Sequence, residues 1–161
     1  MILIIGYGNS LRQDDGAGLL LANTLAHACR TRNLPAKCIT THQLMPELAP
    51  TIAAQEISAV VFVDTRVVLP SENAPGVQIR TLTADTSSPS LGHHLTPETL
   101  LLYAQLLYSR KPAAWLVTVP GIAFSHGETL SELSKIALNT ASINPLLAEL
   151  DAVVQETLTP A

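Results

Sequence analysis

At 161 residues, with a net charge of −4 and no cluster of Lys or Arg, the chain is long enough to bury a full core and argues against nucleic acid or an anionic membrane as a main partner. Its 14% of charged against 47% of hydrophobic residues fit a folded chain and exclude a charge-rich disordered one. No apolar run approaches the roughly 20 residues that span a bilayer, and the opening run 2–5 is shorter than the roughly 7–15 residues of a signal-peptide core, so a cytoplasmic location is expected.

The apolar run Ile2, Leu3, Ile4, Ile5 empties into Gly6-Tyr7-Gly8-Asn9-Ser10-Leu11 and then Asp14-Asp15-Gly16. This pattern predicts a central strand of an open α/β sheet, whose carboxyl end is where such folds bind ligands. A dinucleotide loop would require a third glycine where Leu11 stands, and two carboxylates near a helix N-terminus would repel a phosphate while satisfying the same amides. The loop suits a cation better. Gly6 and Gly8 read as structural, and Asn9 as a residue that holds the loop by side-chain hydrogen bonds.

Residues 16–30 carry Ala17, Leu20, Leu21, Thr24, Leu25 and Ala28 at helical spacing, and Asn33 with Pro35 ends that unit. Cys29 on this helix and Cys38 on the next strand, near 36–41, lack a Cys-x-x-Cys spacing or a third partner and read as buried thiols. Residues 46–55 predict a short helix with Pro46 in its first turn. The all-apolar run Ala59-Val60-Val61-Phe62-Val63 predicts a second strand buried on both faces, stopping at Asp64.

A looser stretch with Pro70, Asn73, Pro75 and Gly76 precedes the alternating run Val77-Gln78-Ile79-Arg80, a candidate edge strand. Residues 83–90 read as a polar loop delivering Gly92-His93-His94-Leu95-Thr96. Pro97-Glu98 then opens a helix with Leu100, Leu101, Tyr103, Ala104, Leu107 and Tyr108 on its apolar face. Trp115-Leu116-Val117-Thr118-Val119 predicts the last strand, closed by Pro120-Gly121, and residues 125–136 and 145–157 the final helices. The alternation predicts an α/β three-layer sandwich over residues 1–161: a mostly parallel twisted sheet, helices on both faces, with room for one antiparallel edge strand.

Asp15 after the first strand, Asp64 at the end of a central strand and His93 before a helix can all project into one crevice at the carboxyl edge of that sheet. Two carboxylates and an imidazole suit a divalent borderline metal with open coordination positions. A plainer account stands beside this one. Asp14 and Asp15 are also what a helix cap and a first-turn acid look like, Asp64 could start a turn, and either histidine could cap the following helix or sit solvated. His27 and His126 read as surface or helix-entry residues outside the site.

The opening block together with Val-Phe-Val-Asp64 and Gly-His93-His94-Leu resembles the hydrogenase maturation endopeptidases, which remove a C-terminal extension from the large subunit of a nickel-iron hydrogenase. The resemblance runs from Met1 to about the Trp115 strand. It implies that Asp15, Asp64 and His93 bind metal, with His94 as the fallback ligand, and that Asp15 stands where many members have glutamate. It also implies that nickel is carried by the substrate precursor and recognised there, with no permanently bound cofactor. The segment Thr41-His42-Gln43-Leu44-Met45-Pro46-Glu47-Leu48 resembles a stretch that would border the same cleft and contact the substrate tail. The expected partner is the hydrogenase large-subunit precursor, the expected state a monomer, and the expected chemistry water attack with Asp15 or Asp64 as base. A non-catalytic escort of the metal-loaded precursor and a nucleotide-binding oxidoreductase are the alternatives.

Overall fold

The computed structural model describes residues 1–69, 71–73, 75–84 and 95–158. Five strands, β1 (Ile2–Tyr7), β2 (Ala36–Thr41), β3 (Ala59–Val67), β4 (Gln78–Leu82) and β5 (Ala113–Gly121), form one sheet in the order β2-β1-β3-β5-β4. The β1–β2, β1–β3 and β3–β5 pairs are parallel, and β4 runs antiparallel along β5 at the edge. Parallel neighbours require crossovers, which α1 (Ala17–Thr31), α2 (Leu48–Ile52) and α3 (Pro97–Tyr108) supply, while α4 (Glu132–Thr140) and α5 (Asn144–Leu158) follow β5. The expected α/β architecture with an antiparallel edge strand is therefore what the chain adopts.

Alternation along the strands divides the core in two. Ile2, Ile4, Val61, Val63, Val117 and Val119 pack with the α1, α4 and α5 side. Leu3, Ile5, Val60, Phe62 and Ala114 pack with α2 and α3. Strands β1 and β3 are covered on both faces, which is why both read as unbroken apolar runs.

Several elements depart from expectation for identifiable reasons. Strand β3 does not stop at Asp64 but runs on to Val67, because β5 continues beside it and pairs Asp64 with Thr118 and Val67 with Gly121. Strand β5 accommodates Pro120 because β4 pairs no further than Thr118, so Pro120 has a strand neighbour on one side only. Helix α2 is a single short turn instead of spanning 46–55. The helix expected at 125–136 begins only at Glu132. Ser131 is its N-cap, accepting from the Ser134 amide, and Gly127 before it takes φ of +149°. Leu107 and Tyr108, expected on the inner face of α3, are exposed where that helix outruns the core.

Helix α1 is turned relative to the expected face. Ala17, Gly18, Leu21, Ala22, Leu25, Ala26 and Cys29 are buried, while Leu20 is 51% exposed. Backbone contact sets this rotation: Gly18 donates its amide to Thr65 Oγ1 at 3.0 Å, and a Cβ on Gly18 would lie 2.9 Å from Asp64 Cα and 2.8 Å from its carbonyl carbon. Both contacts are with main chain that cannot swing away. Gly18→Ala should therefore destabilise the fold by about 2 kcal/mol despite the better helix propensity of alanine, read as a lower urea midpoint with unchanged slope.

Candidate functional site

The carboxyl ends of β1, β3 and β5 meet the turn that starts α1, and this is where the acidic residues gather. Gly8, at φ +141°, is needed where the chain leaves β1, because a Cβ there would lie 2.2 Å from the Asp15 carbonyl oxygen. Asn9 Oδ1 accepts from the Leu11 amide at 2.9 Å, the side-chain turn expected of it. The Asn9 amide donates to Asp15 Oδ2 at 3.0 Å and so fixes that carboxylate against the loop.

Asp14 has a different duty from the cap suggested by its position. It is fully buried in the 3-10 turn Gln13–Gly16, and its carboxylate accepts from the amides of Ile122 and Ala123 at 2.9 Å each, and from the amide and hydroxyl of Ser131 at 2.7 Å each. Its own amide donates to the Ala123 carbonyl. Burial opposes its ionisation, yet the four hydrogen bonds overcome that and hold its pKa below the ordinary aspartate value. Gln13, at φ +47°, donates its amide to Gly127 and accepts from Ser125, so two consecutive residues clamp the loop after β5 to the loop after β1.

Asp64 projects on the sheet face that carries Tyr7. Its Oδ1 accepts from the Thr65 amide at 2.7 Å, and the Tyr7 hydroxyl donates to the carboxylate. Burial pushes the Asp64 pKa up to about 6, and the charge of Asp15 pushes the same way, against the two hydrogen bonds. The structure thus brings Asp15 and Asp64 into electrostatic contact. Burial and the Asp64 charge lift the Tyr7 phenol far above its ordinary range, so it remains a neutral donor. Glu98, in the first turn of α3, and Arg80 on β4 are also close enough to bear on Tyr7, and they pair with each other at 2.9 Å.

His93 and His94 lie outside the described residues. Among the described residues no third His, Cys, Asp or Glu joins Asp15 and Asp64 in a cluster. His27 is exposed, whereas His126, expected at a helix entry, is exposed in the loop ahead of α4, which begins only at Glu132; of the two thiols expected to be buried, Cys29 is and Cys38 is half-buried. The segment 41–48 stands at the same sheet edge, tied to the site loop by the Gly8 amide on the Thr41 carbonyl, with Leu44 buried and Met45 exposed. Sequence reasoning did not single out Tyr7 for the site. Its signal was parity, since Tyr7 follows Leu3 and Ile5 on the face that β3 shares through Phe62 and Asp64.

Two stability experiments follow from these carboxylates. Asp14→Asn leaves one acceptor oxygen for four donors and should cost about 2–4 kcal/mol at pH 7, measured by urea unfolding. Because the folded-state pKa of Asp14 is depressed, its contribution is present at neutral pH and is lost as pH falls below the carboxylate range, so the variant and the parent converge in acid. Asp64 has the opposite sign. Its raised pKa means the folded state keeps a proton that the unfolded chain has released, so its contribution falls as pH rises from about 4 through about 6. Asp64→Asn, which keeps an acceptor for Thr65 and Tyr7, should gain about 1–3 kcal/mol at pH 8 and nothing at pH 3.

No family model matches the chain, and no curated protein matches it in sequence. Solved structures do match over nearly its whole length. The [NiFe] hydrogenase maturation protease HycI from Thermococcus kodakarensis KOD1 superposes with a TM-score of 0.57 at 22% identity, covering 96% of this chain and 92% of that one. The hydrogenase maturating endopeptidase HybD from E. coli gives 0.61 at 17% identity, over 97% and 93% of the two chains. The hydrogenase 2 maturation peptidase from Thaumarchaeota archaeon SCGC_AB-539-E09 gives 0.54 at 20% identity, over 97% of each. The chain has the fold of hydrogenase maturation proteases of known structure, with Asp15 and Asp64 at the carboxyl edge of its sheet.

Proposed function

We propose that the protein is an endopeptidase that removes the C-terminal extension of a nickel-iron hydrogenase large-subunit precursor after nickel has been inserted. The observation that carries the reading is the pair Asp15 and Asp64 at the carboxyl edge of the sheet, where burial and the charge of Asp15 push the Asp64 pKa up to about 6, on a fold shared over nearly its whole length with hydrogenase maturation proteases. A buried carboxylate beside a second one is an unfavourable arrangement that a divalent cation relieves. Nickel belongs to the substrate in this reading. Asp15, Asp64 and His93, or His94 in its place, would recognise it, so that only a loaded precursor is seated with its scissile peptide in position. Hydrolysis then proceeds by water attack, and a carboxylate whose pKa sits near neutrality is suited to take the proton.

The sequence offers no serine or cysteine nucleophile paired with a base, which favours water as the attacking group. The loop ending in Leu11 and the paired acids disfavour a nucleotide-binding oxidoreductase.

Incubation of the protein with a hydrogenase large-subunit precursor, with and without inserted nickel, should shorten the C-terminus of the loaded form alone, followed by intact mass. Asp15→Ala and Asp64→Ala should each lower the cleavage rate by at least about 100-fold, and full activity in either would overturn their assignment. Comparison of His93→Ala with His94→Ala identifies the imidazole. Stable binding of loaded precursor without shortening would instead mean a non-catalytic escort.

A further inference from the structure

Beside Asp64 the same face of the sheet carries a groove of about 480 Å³ lined by Arg66, Gln78, Ile79, Arg80, Leu116 and Thr118. Strand register explains its position. Asp64 pairs with Thr118 and Thr118 with Gln78, giving one row across three neighbouring strands, and Phe62, Leu116 and Arg80 form the adjacent row on the same face. The row from Asp64 to Gln78 covers two strand spacings, about 10 Å, the length of about three residues of extended peptide.

The groove is rich in donors that the fold leaves unspent. Arg66 gives Nη1 to Glu72 at 2.8 Å and Nη2 to the Gly76 carbonyl at 3.5 Å, while its Nε is buried with no hydrogen-bond partner among the described residues. Among the described residues Arg80 uses one nitrogen, on Glu98, in a pair of the kind that is weak and easily shared. The side chains of Thr118 and Gln78 make no hydrogen bond among the described residues. A buried unpartnered donor in a native fold calls for a ligand or a water, and a guanidinium with free N–H groups is shaped for a carboxylate. The complementary ligand is acceptor-rich: the carbonyls of an extended peptide together with a carboxylate.

We propose that this groove seats about three residues of the substrate extension, in extended form, with an acidic group on Arg80 and Arg66. The assignment rests on the endopeptidase reading, in which the body of the precursor is held through its metal at Asp15 and Asp64 and the chain leaving toward β4 is the extension.

Amide chemical shifts of the isotope-labelled protein, titrated with a hexapeptide containing one glutamate and with its glutamine twin, test it without any cleavage. The glutamate peptide should bind at least about fivefold more tightly, with shifts confined to 66, 78–80 and 116–118, and Arg80→Met should abolish that difference. Thr118→Val, which leaves Arg80 in place, should weaken both peptides alike and controls for damage to the fold. On a precursor that is cut, Arg80→Met should raise KM by a larger factor than it lowers kcat. Equal affinity for the two peptides, shifts elsewhere, or an unchanged KM would overturn the groove assignment. Peptide binding in the groove without precursor cleavage would overturn the endopeptidase reading and leave the peptide site standing.

Discussion

The carboxyl edge of this sheet depends on the buried carboxylate of Asp14. Backbone hydrogen bonds from Gln13 to Gly127, from Asp14 to Ala123 and from Gly127 to Leu11 join the loops after β1 and β5, and one side chain adds to them by collecting the amides of Ile122, Ala123 and Ser131 and the Ser131 hydroxyl. A buried anion is tolerable only when its lone pairs are used in this way. The same bonds fix where α4 starts, since Ser131 serves at once as a donor to Asp14 and as the N-cap of that helix. Among the described residues the carboxylate of the next residue, Asp15, takes one hydrogen bond, from the Asn9 amide.

Two of these aspartates, Asp14 and Asp64, thereby serve opposite ends. Asp14 is ionised because the fold solvates it with hydrogen bonds, whereas Asp64 resists ionisation because burial and the charge of Asp15 outweigh its two donors. The stability supplied by the first carboxylate sustains the electrostatic conflict of the second. Gly18 transmits the one to the other, for the helix that begins at the Asp14 turn rests its backbone directly on Asp64 and Thr65. No side chain stands between the main chains of Gly18 and Asp64, so the position of the turn constrains the position of Asp64.

What was legible in the sequence follows from locality. The runs at 2–5 and 59–63 announce doubly covered strands because burial on both faces leaves no polar residue between them, and the acids at their ends mark the ligand-binding edge. The role of Asp14 was not legible, because its partners lie 108 or more residues away and a local reading of an acid before a helix gives a cap. The inner face of α1 was misjudged by a partial turn for a related reason. Leu20 and Leu21 are equivalent in hydrophobicity, and the choice between them is made by Gly18, whose lack of a side chain carries no hydrophobic signal. The start of α4 was likewise set by a distant anion and not by its own periodicity.

The two outer strands of the sheet are β2 and β4, and each is short and bears an exposed cation, Lys37 on one and Arg80 on the other. An unpaired strand edge is a template on which a second chain can add by backbone hydrogen bonding, and like charges on both margins oppose that addition. The guanidinium of Arg80 thus has a colloidal consequence apart from any ligand: at the crowded concentrations inside a cell it helps keep separate copies of this sheet from zipping together.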